Sequence, residues 1–110
     1  MKRRLVIKPE ADRDINNQFA YIADDNLEAA IRFYEAAFAS FNLLLANPFV
    51  GPARPFDSPQ LMDIRLWFVT DFHKYLIFYR VTDEFVEIVR VLHSARDIDR
   101  IMVNEADSSG

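Results

Sequence analysis

YLIFYRVTDEFVEIVRVLH, residues 75–93, holds two runs of β-branched, aromatic and aliphatic residues, Tyr75 to Val81 and Phe85 to Leu92, parted only by Thr82, Asp83 and Glu84. So short a link between strand-like runs makes them an antiparallel hairpin. A third run, Met62 to Val69, precedes them across a link at Asp71 to Lys74, so this half of the chain reads as a three-strand meander. Neither Asp83 nor Glu84 is followed by the glycine that a two-residue turn favours. The expected turn is therefore Thr82-Asp83-Glu84 with Val81 facing Phe85, which puts Arg80 and Arg90 on the same side of the sheet.

Towards the N-terminus, Arg4 to Lys8 is a short strand and Pro9 opens a helix, since proline suits the first helical turn. Glu10 and Asp12 favour the positive end of that helix, and Ala11, Ile15, Phe19, Ile22 and Ala23 give it one apolar stripe over about residues 9 to 24. Asn26 is a good N-cap for a second helix, Leu27 to Ala46, and Asp25 with Glu28 has capping-box spacing. The small residues Ala30 and Ala37 on its apolar face let two helices approach closely. Asn47-Pro48 stops this helix, and Gly51, Pro52, Pro55 and Pro59 punctuate a loop to about residue 60, long enough to suggest function. Arg96 to Val103 carries Ile98, Ile101 and Met102 at helical spacing. The order of elements predicts an α+β domain over residues 1–103, with a helix pair on one face of a largely antiparallel sheet, a short terminal helix, and a polar tail at 104–110.

Among the 110 residues 51% are hydrophobic and 14% aromatic, with ten Phe and no cysteine. Such a chain builds a core without disulfides or thiolate metal sites, and some of its apolar surface is expected to meet a partner. The basic start, Lys2-Arg3-Arg4, is followed by only three apolar residues, too few for a signal peptide, and no run approaches the roughly 20 needed to cross a membrane. A cytoplasmic protein is expected. The net charge of −4 argues against a protein that grips a phosphate backbone, so no direct sequence-specific nucleic-acid binding is expected. Lys2, Arg3, Arg4 and Lys8 cluster at the first strand, an ordinary device against edge aggregation.

Conventional catalytic motifs are missing from the sequence. His73 and His93 have no metal-ligand spacing, and the only glycines are Gly51 and Gly110, so neither a metal, a phosphate loop nor a cofactor is expected. Arg80, Arg90, His93 and Arg96 remain, near the ends of two adjacent strands. Guanidinium groups fork, stack and stay charged, so these residues could converge on an anionic or planar target. Surface salt bridges to Asp83, Glu84, Glu87 and Asp97 are the plainer account of the same arginines.

Pro9-Glu10-Ala11, Asp25-Asn26 with Glu28-Ala29-Ala30, Asn47-Pro48 and Gly51, Tyr75 to Val81, and Ile88-x-Arg90-Val91-Leu92-His93-x-x-Arg96-Asp97 occur in an order and spacing that resembles the ParE-type toxins of the RelE/ParE family, from about residue 4 to 98. Lys8 departs from the pattern, where relatives commonly have a capping Ser. The resemblance implies a toxin held in a hetero-oligomer with a cognate antitoxin. It further implies one of two targets: RelE-like members cut messenger RNA on the ribosome, whereas ParE-like members poison DNA gyrase without nuclease activity.

By the same resemblance, the positions of the nuclease's two catalytic arginines and its stacking tyrosine fall on Leu76, Ser94 and Arg100. Hydroxyl attack on a phosphodiester needs proton transfer and cationic stabilisation, which Leu76 and Ser94 do not supply. The expected function is a non-enzymatic gyrase inhibitor that uses Arg80, Arg90, His93 and Arg96; the alternative is a ribosome-dependent endoribonuclease with Arg90, His93 and Arg96 as its catalytic set. Because Leu66, Trp67, Phe68, Leu76, Phe78, Val89 and Val91 fall on both parities of the strands, the sheet face away from the helix pair is expected to receive an antitoxin segment.

Overall fold

The computed structural model describes residues 2–109, with side chains to Ala106. Its elements are β1 (Arg4–Ile7), α1 (Pro9–Ala23), α2 (Leu27–Ala46), a single 3-10 turn (Pro59–Leu61), β2 (Arg65–Val69), β3 (Phe72–Val81), β4 (Phe85–His93) and α3 (Ile98–Ser109). The four strands form one sheet in the order β1-β4-β3-β2. β2, β3 and β4 are the expected antiparallel meander, and β1 runs parallel to β4 at the edge. This is the α+β architecture read from the sequence.

α1 and α2 cover one face. Ala11, Ile15, Phe33, Ala37, Phe41 and Leu44 pack on Ile77, Tyr79, Val86, Ile88 and Val91, all fully buried. Each such side chain adds roughly 1.5–3 kcal/mol of hydrophobic stabilisation. The helix joint is capped by Asn26, whose side chain accepts from the Ala29 amide at 3.0 Å, one residue beyond the expected Asp25–Glu28 box. The buried Ser40 hydroxyl donates to the Ala36 carbonyl and accepts from the Thr70 amide, tying α2 to the β2–β3 turn. Asp71 in that turn takes a left-handed φ of 67°, which a short polar side chain tolerates.

Two expectations change. Val81 faces Val86, not Phe85, and the Thr82 amide donates to the Phe85 carbonyl, so the β3–β4 turn is the two residues Asp83 and Glu84. The Thr82 hydroxyl accepts from the Glu84 and Phe85 amides and stabilises this turn without glycine. A register shift between Phe78 and Tyr79 then places Phe78 opposite Arg90, so Arg80 and Arg90 share a side because of a bulge and not because of the turn. The terminal helix, expected to end at Val103, continues to Ser109. Glu105 and Ala106 are buried, and the last position of the expected tail, Gly110, lies outside the described residues.

α3 and the loop after α2 therefore cover the second face. Phe56, Leu61, Ile64, Phe78, Val89, Leu92, Met102 and Ala106 form a second core there. Glu105 pairs with Lys8 and lies 3.7 Å from Arg90, a clamp between the two ends of the chain.

Candidate functional site

Beyond Ile88, β4 has no strand on its outer edge among the described residues, because β1 ends at Ile7. α1 takes the place of that strand. Asp14 accepts from the Val91 amide at 3.0 Å and Gln18 donates to the Val91 carbonyl at 2.8 Å, so both backbone groups of an edge residue are satisfied by helix side chains. Asp14 also receives two hydrogen bonds from Arg90, at 2.7 and 2.8 Å. These bonds push the Arg90 guanidinium above its usual range against the opposing effect of burial, and the Asp14 and Glu105 charges add to the shift. Arg90 is a structural cation with its fork occupied.

Arg80 is also engaged. It bonds to Glu87 at 3.0 Å, to Asp63 at 3.3 Å and to the Gln60 carbonyl, close to the salt-bridge account. His93 and Arg96 sit elsewhere, at the far end of β4, where α1 and the β4–α3 link enclose a cleft of about 530 Å³ lined also by Asn17, Gln18, Tyr21 and Tyr75. His93 Nδ1 accepts from the Ala95 amide at 3.0 Å, so in the neutral ring Nε2 carries the hydrogen. Tyr75 meets the imidazole edge-on at 5.0 Å, and burial, with Tyr21 nearby, pushes its phenol above the usual range. Tyr21 is 79% exposed, and the Gln18 side-chain oxygen is buried with no hydrogen-bond partner among the described residues. The cleft thus offers an exposed cation, an imidazole and aromatic faces, a set suited to a planar or anionic target group.

The four residues expected on one target surface are therefore divided: His93 and Arg96 share a cleft, while Arg80 and Arg90 are held in ion pairs. The alternative catalytic trio divides in the same way, since Asp14 occupies Arg90. Leu76 is half-buried in the sheet, Ser94 is exposed in the link, and Arg100 is exposed on α3 beside Asp97 at 3.7 Å. Asp14 and Gln18 had a signal in the sequence: they lie three and seven places from Ala11, on its apolar stripe, where a polar residue needs a buried partner.

The residues expected to meet an antitoxin also separate. Phe78 and Val89 lie under α3 and the loop after α2, and Val91 and Trp67 face the helix pair. Their own chain covers them: the helix pair covers Val91 and Trp67, while Phe56 and Leu61 from the loop and Met102 and Ala106 from α3 cover Phe78 and Val89. Leu66, Trp67, Phe68 and Leu76 still line a small, nearly apolar cavity with Pro52 beside the β2 edge, and Phe68 stacks on Trp67 with ring centroids 4.6 Å apart.

A family model described as the ParE toxin of the type II toxin–antitoxin system, parDE, matches residues 5–98. Among solved structures, the fold is similar to a chain of the chromosomal ParDE TA system from P. aeruginosa, with a TM-score of 0.67 and 17% identity, covering 84% of this chain and 96% of that one. It is also similar to a chain of the E. coli DinJ-YafQ toxin-antitoxin complex, with a TM-score of 0.56 and 16% identity, covering 86% and 96%. No curated protein matches the sequence.

Proposed function

Because the chain belongs to the ParE toxin family of type II toxin–antitoxin systems, we propose that it acts in the cytoplasm by inhibiting DNA gyrase, without catalysis, and is neutralised in a hetero-oligomer with a cognate antitoxin. The family match over residues 5–98 carries this reading. The residues at the nuclease positions support its non-enzymatic part, since Leu76 is half-buried and Ser94 brings no charge. His93 and Arg96 are the target-facing residues of choice, because their cleft is open and their side chains are not held in ion pairs among the described residues. The antitoxin covers the β2 edge, where Leu66, Phe68 and Leu76 stay half-buried. Residues 1–103 act as one unit, with 104–109 extending α3.

The test is expression without the antitoxin. Gyrase cleavage complexes and a DNA damage response are expected while translation continues, and loss of translation first would refute the gyrase target. The ribonuclease reading keeps one observation in its favour, the imidazole and guanidinium in a shared cleft. Codon-specific cleavage on translating ribosomes, abolished by His93→Ala, would establish it instead.

A further inference from the structure

The turn after α2, Asn47-Pro48-Phe49-Val50-Gly51, is fastened from beneath by the fully buried Tyr79. Its hydroxyl donates to the Pro48 carbonyl at 2.8 Å and accepts from the Gly51 amide at 3.0 Å. A Cβ at Gly51 would lie 2.6 Å from both the Tyr79 hydroxyl and the Leu66 carbonyl oxygen, so only glycine allows this approach. All of these attachments involve backbone or Tyr79. Polar residues at 49 and 50 would leave them intact, yet Phe49 is 59% and Val50 42% exposed.

Two guanidinium groups flank the exposed ring, Arg3 at 5.4 Å and Arg65 at 5.0 Å from its centroid. Each is held by a backbone carbonyl: Arg3 Nε donates to Thr82 and Arg65 Nη1 to Gly51, both at 2.7 Å. Among the described residues neither has a carboxylate within salt-bridge distance. A guanidinium has five N–H donors, so each keeps full charge, a fixed orientation and uncommitted donors. Lys2 and Arg4, both exposed, adjoin Arg3 in sequence and add to the positive charge at the start of β1.

We infer that Phe49, Arg3 and Arg65 form a docking platform for an acidic protein segment that lays an apolar side chain on Phe49 and its carboxylates on the two guanidiniums. Resting on the toxin–antitoxin reading, that segment is the antitoxin's. Charge complementarity selects it. The chain is net negative and Asp83 and Glu84 sit in the turn that holds Arg3, so a phosphate backbone, which needs cations along its length, is the poorer occupant. A short segment needs only two well-placed guanidinium forks, and each fork matches a carboxylate. The fixed turn keeps the ordering cost of docking low.

Calorimetric titration of the chain with the antitoxin encoded beside it, at low and high salt, tests this. Phe49→Ser and the double change Arg3→Gln with Arg65→Gln should each weaken binding about tenfold or more, the double change also flattening the salt dependence. Arg3→Gln alone, at the sheet edge, should show a smaller loss at unchanged melting temperature, which separates docking from folding. Equal affinity in all variants would overturn the platform and leave the toxin–antitoxin reading standing. No binding by the unaltered chain would overturn that reading, and the named occupant with it. Binding to single-stranded oligothymidylate that these variants lose, while they keep antitoxin binding, would overturn the acidic-protein occupant in favour of nucleic acid.

Discussion

Asp14 in α1 grips Arg90 on β4 with two hydrogen bonds of 2.8 and 2.7 Å across 76 positions of sequence, and the same carboxylate receives the Val91 amide. One side chain thus neutralises a half-buried cation and completes a sheet edge. Replacing Arg90 by alanine takes the counter-charge from the Asp14 carboxylate, and replacing Asp14 leaves Arg90 with Glu105 at 3.7 Å in place of two short bonds, each at a cost of about 3–5 kcal/mol. Asp14→Ala and Arg90→Ala should both unfold at markedly lower denaturant concentration. Any loss of toxicity in Arg90→Ala is then a loss of fold, and a stably folded, non-toxic Arg90→Ala protein would return Arg90 to the target surface.

His93→Ala and Arg96→Ala are expected to behave in the opposite way. Arg96 is exposed and His93 is held by one local hydrogen bond, so stability should stay within about 0.5 kcal/mol for Arg96→Ala and fall by no more than about 1.5 kcal/mol for His93→Ala. Growth inhibition should drop in both, read against melting temperature for each variant. Full toxicity in the double variant would remove the cleft from the mechanism.

Tyr79→Phe strips the hydroxyl from between Pro48 and Gly51 and should cost about 1–3 kcal/mol, because the Gly51 amide loses its partner in a buried place. Burial raises the Tyr79 phenol above its ordinary value of 10.0. The folded state thus holds that proton more tightly than the unfolded state. Its contribution is complete below the unfolded value and is lost as pH rises above 10 through the folded one. Tyr75, raised by burial in the same direction, adds to this loss. Denaturation curves taken on either side of pH 10 should show steeper alkaline loss in the parent than in Tyr79→Phe.

Glu105→Ala should destabilise the protein by about 3 kcal/mol, since the carboxylate is 3% exposed and faces Lys8 and Arg90. Removing residues 104–110 should cost at least as much and raise binding of a hydrophobic dye, as Phe78 and Val89 lose part of their cover. If neither change alters the unfolding midpoint, α3 is not part of the cooperative fold.

Local chemistry made most of the fold legible. Pro9, Asn26 and Asn47-Pro48 mark the helix ends within a residue or two, because proline, capping side chains and helix breakers act on their immediate neighbours. The runs of β-branched, aromatic and aliphatic residues likewise located the three strands of the meander. Lys8 was legible only in part: its failure to cap α1 follows from its side chain, but its pairing with Glu105, 97 positions away, does not.

What the sequence determined by itself was therefore the kind and order of the elements, the helix pair on a mostly antiparallel sheet, and the residue types from which a charged site must be drawn. The tertiary structure alone decided which of those charges are committed. A one-residue register shift and a Thr82 hydroxyl set the faces of β3 and β4, and Met102 and Ala106 of α3 with Phe56 and Leu61 of the loop closed the sheet face that the strands left apolar. Arg80 and Arg90 were drawn into ion pairs while His93 and Arg96 stayed at an open cleft. Spacing along a strand specifies a side chain's direction only until a bulge intervenes, and a cation's partner depends on which carboxylate the folded chain brings within a few ångströms.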